Sequence, residues 1–350
     1  MSRKLEKTLV IRADASSLIG TGHIMRTLAL AQLFKKSVKV QYVCAEITNE
    51  LLNLLIKEQI EVKLLNEKLG TKEELLATIN YIKLLNTQWI IIDGYEFDES
   101  YISGLKDTGL KVLLIDDFGQ LNYYAADIVL NRGVYAREDM YLNREPYTEL
   151  LLGPKFTVLR EEFLRWKGVP KKIKKVPRNL LVTMGGADPN NITLKIINMF
   201  DRVLLDHYTI KVVLGAANTH ANVIKERVKR INIDVELIEI ANEMPTLMNW
   251  ADIAITAGGT TLFEMAFMGL PSAVIQIAEN QRSAKVLAEK YNTCIFIGED
   301  RKILDTDIKK VISILQDPKM RYAMSVNGQR LIDGDGNKRI IKKMDLEGGL

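Results

Sequence analysis

The sequence of 350 residues contains only two cysteines and three histidines, and it has no long apolar run. Cys44 and Cys294 lie far apart, each within a short apolar segment, which excludes a disulfide framework and a cysteine metal site and favours buried thiols. No segment approaches the roughly 18 consecutive apolar residues of a membrane span, and the N-terminal residues lack a signal-peptide pattern. These absences predict a soluble, cytoplasmic protein.

An excess of charge is also missing, since 48 lysines and arginines stand against 44 aspartates and glutamates, a formal net charge of +4. That excess is too small to indicate a nucleic acid or a membrane surface as the partner. Hydrophobic residues make up 47% and charged residues 26%, the balance of a globular protein that buries a core. The length suffices for two domains of common size, whereas the residues do not indicate an oligomeric state.

Short apolar runs alternate with segments of helical period along nearly the whole chain, a pattern typical of an α/β fold with parallel sheets. Strands are predicted near 8–13, 38–43, 61–65, 89–93, 111–115, 127–130, 179–184, 209–214, 234–238, 252–256, 272–276 and 294–297. Helices are predicted near 23–35, 49–58, 71–86, 98–107, 191–204, 219–230, 260–268, 281–291, 303–316 and 319–331, with a basic helix after Gly336. Each half of the chain therefore predicts one Rossmann-like, doubly wound domain.

A Lys-rich segment with two prolines interrupts this alternation and predicts a solvated linker at 166–178. The predicted domains are an N-terminal one at 1–165 and a C-terminal one at 179–350, the latter closed by the last helices. Ligands of open parallel sheets bind beyond the carboxyl ends of the strands, so we expect the ligand in a cleft between the domains.

The loop after the first strand carries Gly20 and Gly22 and ends at His23. It lacks the third glycine of a dinucleotide fingerprint, where Met25 stands, and the Gly-Lys-Ser/Thr of a Walker A loop. His23 stands at a predicted helix start, where the helix dipole favours a neutral imidazole that can act as a general base. A capping or structural histidine is the alternative interpretation.

Two more loops of the first half bring carboxylates to strand ends. Asp93 and Tyr95 follow the fourth strand, where such side chains can orient a substrate or a base. Asp116 and Asp117 follow the fifth strand, where paired carboxylates suit a divalent cation or a simple turn. The turn is the favoured interpretation.

The second half has two glycine-rich loops that lead from strands into helices. The first contains Gly185 and Gly186, and the second contains Gly258, Gly259, Thr260 and Thr261. Backbone amides and hydroxyls at a helix start can bind a diphosphate. One turn later, Glu264 can accept hydrogen bonds from both hydroxyls of a ribose. This combination predicts a nucleotide-diphosphate site.

Together these segments resemble the sugar-nucleotide hydrolases of pseudaminic acid biosynthesis (the PseG family) and the similar SpsG-like spore coat polysaccharide proteins. The matching motifs, in chain order, are Arg12-Ala13-Asp14, Ile19 to Arg26, Asp93-Gly94-Tyr95, Asp116-Asp117, Leu152 to Lys155, Leu159 to Phe163, Gly185 to Asp188, Gly258 to Glu264, Asn280-Gln281 and Asp333 to Gly336. They span nearly the whole chain, and the chain departs from the family by extra residues around 137–146.

The resemblance implies a GT-B glycosyltransferase-like fold that hydrolyses UDP-2,4-diacetamido-2,4,6-trideoxy-β-L-altropyranose with inversion, without a metal or another cofactor. It implies that His23 activates the water. The residues it assigns to substrate binding are Arg12, Asp14, Gly20, Gly22, Tyr95, Asn280 and Gln281, and those it assigns to UDP are Gly185, Gly186, Gly258, Gly259, Thr260, Thr261 and Glu264. A UDP-sugar-dependent glycosyltransferase of surface or spore coat polysaccharide assembly is the alternative, and a non-catalytic UDP-sugar binding module is a third.

Overall fold

The computed structural model describes residues 7–16, 18–200, 207–215, 217–239 and 243–344. The chain forms two compact units, of which the first takes residues up to Glu161 together with those from Asp335 onward. The second unit takes residues 162–334. Both units are built from parallel sheets and helices, which confirms the predicted α/β class.

The first unit contains a seven-stranded parallel sheet with the strand order β3-β2-β1-β4-β5-β6-β7. Its strands are β1 Thr8–Ala13, β2 Lys39–Cys44, β3 Glu61–Leu64, β4 Thr87–Asp93, β5 Lys111–Ile115, β6 Ile128–Asn131 and β7 Glu149–Leu152. Its helices are α1 Gly22–Phe34, α2 Asn49–Lys57, α3 Lys72–Ile82, α4 Glu99–Lys106 and the C-terminal Gly336–Met344, while the short α5 Glu161–Leu164 lies at the boundary of the two units.

The second unit contains a six-stranded parallel sheet with the order β10-β9-β8-β11-β12-β13. Its strands are β8 Asn179–Thr183, β9 Thr209–Val213, β10 Val235–Ile238, β11 Ile253–Ala257, β12 Ser272–Gln276 and β13 Ile295–Glu299. Its helices are α6 Ile192–Phe200, α7 Ala221–Val228, α8 Met244–Trp250, α9 Thr260–Met268, α10 Ser283–Glu289, α11 Asp305–Ile314 and α12 Pro318–Leu331, and the C-terminal helix of the first unit is α13.

The central strands of the first sheet are buried on both faces, as expected where helices cover a parallel sheet from both sides. All six residues of β1 are buried. Leu9 and Ile11 join the core on one face, whereas Val10 joins the core on the other face with Ile90 and Ile92 of β4. Each buried aliphatic side chain of this kind contributes about 1.5–3 kcal/mol to the stability of the fold. The sheet is therefore a rigid support for the loops that follow its strands.

The C-terminal helix corrects the predicted domain division, because α13 belongs to the first unit and not to the second. Ile340 and Met344 are buried in the core of the first unit. Asn337 accepts a hydrogen bond from the backbone N of Leu159 at 2.9 Å and donates one to its carbonyl at 2.8 Å. The amphipathic pattern of this helix predicts a buried face, but it does not show which sheet that face covers.

The Lys-rich segment is also more structured than a solvated linker. Lys171 Nζ donates to the backbone carbonyls of Met248, Asn249 and Ala251 at 2.6–2.8 Å, at the C-terminal end of α8. Burial lowers the pKa of Lys171 to about 8. Lys174 pairs with Asp252 at 2.9 Å. The segment therefore packs onto the second unit, where the helix C-terminus attracts cations.

Most other predicted strands and helices are confirmed within two to four residues, although the last residues of the helix predicted at 191–204 lie outside the described part of the chain. The prediction missed β7, α5 and α8, which have only four, four and seven residues. None is long enough for a clear period, and Pro245 lies in the first turn of α8. Across the described ranges, no helix is long and apolar enough to cross a membrane.

Candidate active site in the first unit and glycine-rich loops in the second

Each sheet has one point where the strand order reverses, and the predicted site loops follow the strands on both sides of it. In the first sheet β1 and β4 are neighbours, whereas the chain leaves β1 towards β2 and leaves β4 towards β5. In the second sheet the corresponding neighbours are β8 and β11. Loops diverge at such a point and open a crevice for a ligand.

Asp14 fixes the loop that carries His23. One carboxylate oxygen of Asp14 accepts from the backbone N of Ala45 at 2.7 Å and of Glu46 at 2.9 Å, which ties the loop to the end of β2. Gly20 has a φ of +82° and donates to the carbonyl of Ser16 at 2.8 Å. A side chain at Gly20 would strain this turn. A Cβ at Gly22 would meet nothing within 4 Å.

Arg12 is a buried structural residue, which corrects its predicted role in substrate binding. Its side chain is fully buried, donates to Glu74 at 2.9 Å and contacts Asp14. Burial opposes the charged form, but Asp14 and Glu74 hold the pKa of Arg12 above its ordinary value. The guanidinium also stacks 4.9 Å from the ring centre of Phe97. Arg12 and Asp14 thus support the loop from inside.

His23 lies in the first turn of α1 and contacts Asp93 at the end of β4. Its Nδ1 lies 2.6 Å from Asp93 Oδ1, and both residues are buried. Burial alone would raise the pKa of Asp93, but Arg26 and His23 bring it below its ordinary value. An ionised carboxylate can only accept, so Nδ1 carries the proton. In the neutral form of the ring, Nε2 is then the unprotonated nitrogen.

Arg26 lies three residues after His23 on α1 and binds two carboxylates. Its Nε and Nη2 donate to the two oxygens of Asp93, both at 2.5 Å. Its Nη1 donates to the two oxygens of Asp117 at 2.9 and 2.7 Å. Nη2 also lies 3.2 Å from His23 Nδ1, but Nδ1 does not accept from it because Nδ1 carries its own proton towards Asp93. The planar guanidinium thus locks the carboxylate that holds His23.

Tyr95 extends this network towards solvent. Its hydroxyl donates to Asp117 at 2.7 Å, and its ring meets the His23 ring edge-on with the centres 4.8 Å apart. Burial would raise the pKa of Asp117, but Arg26 and then Arg132 lower it to about 2. Tyr95 itself is 36% exposed. His23 and the phenol predicted to contact substrate therefore lie side by side.

Asp116 confirms the turn interpretation of the neighbouring acids. One of its oxygens accepts from the backbone N of Phe118 and of Gly119, both at 2.6 Å, and the other accepts from Tyr124 at 2.8 Å. The two acids therefore have separate partners. Within the described ranges, no group of three or more His, Cys, Asp or Glu side chains is placed to hold a metal ion.

In the second unit, Gln281 connects the loop after β11, which lies at the switch point, with the loop after β12. Its Oε1 accepts from the backbone N of Gly258 and of Ile277, both at 3.0 Å. A Cβ at Gly258 would lie 2.8 Å from that of Ala284, whereas one at Gly259 would meet only the Gln281 amide at 3.8 Å. Gln281 thus stabilises the loop through its oxygen while its side chain is half-buried, and Asn280 is exposed.

The loop after β8 is shaped by close backbone contact. Gly185 has a φ of +80°, and a Cβ at Gly215 would lie 2.2 Å from the carbonyl oxygens of Gly185 and Gly186. Asp188 then accepts from the backbone N of Ile192 at 2.7 Å and of Thr193 at 2.9 Å, and so caps α6.

Gly259 is the N-cap of α9, and Thr260 and Thr261 form the first turn of that helix. Both threonines are half-buried, and Glu264, one turn later, is 5% exposed. The hydroxyls and the carboxylate thus share the first two turns of α9, at the carboxyl end of β11. A helix N-terminus of this kind, with free backbone amides, favours an anion such as a diphosphate.

Comparison with known proteins agrees with this architecture. Residues 180–340 match the glycosyltransferase family 28 C-terminal domain. The chain is 27% identical to the spore coat polysaccharide biosynthesis protein SpsG of Bacillus subtilis, over 94% of this chain and 95% of that protein. It is 26% identical to the UDP-2,4-diacetamido-2,4,6-trideoxy-beta-L-altropyranose hydrolase of Campylobacter jejuni, over 81% of this chain and 96% of that protein.

An uncharacterized protein of Methanocaldococcus jannaschii is 28% identical over 78% of this chain, and the match spans 56% of that longer protein. Among solved structures, MurG of Acinetobacter baumannii superposes with a TM-score of 0.67 at 14% identity, over 97% of this chain and 99% of that one. The fold of the chain is therefore that of the GT-B glycosyltransferases, and its second unit matches the C-terminal domain of glycosyltransferase family 28.

Proposed function

We propose that this protein is an enzyme that hydrolyses a UDP-sugar, releasing UDP and the free sugar with inversion at the anomeric carbon. The observation that carries the proposal is the buried His23–Asp93 pair at the switch point of the first sheet. With Nδ1 directed at Asp93, the neutral ring has Nε2 as its proton acceptor, which is what a general base requires. The similarity to the Campylobacter hydrolase supports UDP-2,4-diacetamido-2,4,6-trideoxy-β-L-altrose as the substrate.

In the proposed reaction His23 Nε2 takes one proton from a water molecule while the water oxygen bonds to the anomeric carbon. The bond between that carbon and the UDP oxygen breaks, and UDP leaves with the electron pair. Asp93 holds the ring in the reactive tautomer and stabilises the imidazolium that forms. The water attacks opposite to the leaving group, so the anomeric configuration inverts.

The second unit is assigned to UDP. The amides and hydroxyls at the start of α9 would bind the diphosphate and stabilise its charge as it leaves. Glu264 would accept from the ribose hydroxyls. The match to the family 28 domain covers this loop and helix.

The same groups also suit a glycosyltransferase, in which a hydroxyl of an acceptor replaces water. The family 28 domain match and the similarity to SpsG favour this second candidate. The two reactions differ in one observable, because only the hydrolase releases UDP without an acceptor.

The test incubates the purified protein with UDP-2,4-diacetamido-2,4,6-trideoxy-β-L-altrose, without acceptor and with EDTA, and follows products by proton NMR. We expect UDP and the inverted sugar, and a His23→Asn variant should be about 10²–10⁴-fold slower with nearly unchanged UDP affinity. A His23→Asn variant with full activity would refute the base assignment. UDP release only after an acceptor is added would establish the transferase instead.

A second variant tests the UDP assignment. Glu264→Gln removes the charge that would accept from the ribose, and we expect calorimetry to show UDP binding weakened about tenfold or more. Glu289→Gln is the matched control, since Glu289 is an exposed residue of α10. Equal UDP affinity for both variants would contradict the ribose role of Glu264.

A further inference from the structure

We propose that Asp117 fixes the direction of the Tyr95 hydroxyl, so that Tyr95 presents its oxygen to the ligand as a hydrogen-bond acceptor. Tyr95 then selects a sugar that carries a donor at that position, a hydroxyl or an amide N–H. The inference rests on the proposed function, because it takes the ligand beside Tyr95 to be the sugar of a sugar nucleotide. Asp117 acts through Tyr95 and is a positioning residue.

The direction of the hydroxyl follows from proton counting. A phenol has one proton, and Tyr95 lies 2.7 Å from Asp117 Oδ2. Asp117 also accepts from Arg26 at both oxygens. With Arg132 adding a second positive charge, the pKa of Asp117 falls to about 2 despite burial. Asp117 is therefore ionised and can only accept, so the Tyr95 proton points at it.

Because the Tyr95 proton points at Asp117, the Tyr95 oxygen can only accept a hydrogen bond from a ligand. The Tyr95 ring lies beside His23 and, at 5.4 Å between centres, beside Phe118, and part of the ring is exposed. Its remaining lone pairs accept, as does Nε2 of His23. The two neighbouring rings thus each carry an acceptor, one for the proton of water and one for a donor on the sugar. A carbonyl or phosphate oxygen facing Tyr95 would meet a second acceptor and be disfavoured.

The test measures binding by calorimetry in the His23→Asn background, which removes turnover, with UDP-2,4-diacetamido-2,4,6-trideoxy-β-L-altrose and UDP as separate probes. Tyr95→Phe removes the acceptor oxygen. Incorporation of 4-aminophenylalanine in place of Tyr95 keeps an N–H towards Asp117 but turns a second N–H towards the ligand. We expect both changes to weaken binding of the UDP-sugar about three- to tenfold and to leave UDP unaffected. Unchanged binding with Phe, or binding at least as tight with 4-aminophenylalanine as with Tyr, would overturn the inference.

Asp117→Asn tests the positioning role. We expect Asp117→Asn to weaken UDP-sugar binding by the His23→Asn protein. Once Tyr95→Phe is also present, Asp117→Asn should change that binding less than about twofold, since residues that act as a unit are not additive. Equal losses in both backgrounds would show that Asp117 only supports the fold. Tyr124→Phe is the control, because it removes the bond from a buried phenol to the carboxylate of Asp116 and should leave binding unchanged.

These outcomes separate the inference from the proposed function. If the His23→Asn protein binds the UDP-sugar but the wild-type protein does not hydrolyse it, the hydrolase proposal fails, and the Tyr95 comparison still decides the inference. If wild type hydrolyses the substrate but the Tyr95 changes have no effect, the inference alone fails. Should Asp117→Asn not fold, the two replacements of the partly exposed Tyr95 remain decisive.

Discussion

The substitution Asp93→Asn isolates the contribution of the carboxylate that holds His23. Asp93 is fully buried and accepts one hydrogen bond from His23 and two from Arg26, at 2.5–2.6 Å. An amide has one acceptor oxygen and one donor group, so it cannot satisfy both neighbours. Either Arg26 faces an N–H, or His23 Nδ1 loses its acceptor and the ring adopts the other tautomer. We expect hydrolysis to fall by about 10⁴, as a wrong tautomer does in a histidine–aspartate pair.

The same change also destabilises the first unit, because removal of one partner from a buried ion pair costs about 3–5 kcal/mol. This corresponds to a fall in Tm of about 10 °C for a unit of this size. UDP release is therefore assayed at 20 °C with thermal unfolding followed in parallel. Asp127→Asn is the matched control, since Asp127 binds Lys106 and the backbone N of Val112, both at 2.7 Å, just before β6.

The decisive comparison is the double variant. If Asp93 acts through His23, then Asp93→Asn should slow a His23→Asn protein less than about threefold, because the ring it positions is gone. A further loss near 10⁴ in the double variant, or a folded Asp93→Asn protein with wild-type turnover, would refute the reasoning.

Two further predictions follow from the structure. Gly258→Ala should weaken UDP binding, because its Cβ would lie 2.8 Å from that of Ala284 and displace the loop. Calorimetry checks this, and an affinity equal to that of wild type would contradict it. Asp117 has a folded pKa of about 2 against an ordinary 3.8, so its stabilisation is complete above about pH 4 and is lost as the pH falls towards 2. The stability difference between wild type and Asp117→Asn should therefore shrink by about 2 kcal/mol in denaturant unfolding from pH 5 to pH 2, and a constant difference would contradict the ion-pair account.

The position of the site could be predicted from the sequence because it follows from the topology of parallel sheets. His23 and Asp93 follow strands whose carboxyl ends lie on one edge, so a pattern of strands and helices brings their loops together. The partners of Arg26 could not be predicted in the same way. Its place three residues after His23 shows only that it shares a helix face with the histidine, whereas its partners are 67 and 91 residues away.

The contacts of Arg12 and Gln281 inside the protein could not be predicted, for a related reason. Both belong to segments that resemble ligand-binding motifs, but each also makes hydrogen bonds inside the protein. Arg12 reaches Glu74, which lies 62 residues away on α3. Gln281 accepts from backbone amides that a loop conformation exposes. A sequence motif alone does not show whether its residues contact a ligand or hold the surrounding protein structure in place.

The most direct test of the central claim is hydrolysis of UDP-2,4-diacetamido-2,4,6-trideoxy-β-L-altrose in ¹⁸O-labelled water, with the isotopic mass of the released UDP measured at early times. If water activated by His23 attacks the anomeric carbon, UDP keeps the bridging oxygen and carries no label, while His23→Asn releases UDP about 10²–10⁴-fold more slowly. UDP that carries ¹⁸O would place the attack at phosphorus, and a substrate that persists until an acceptor is supplied would exclude hydrolysis.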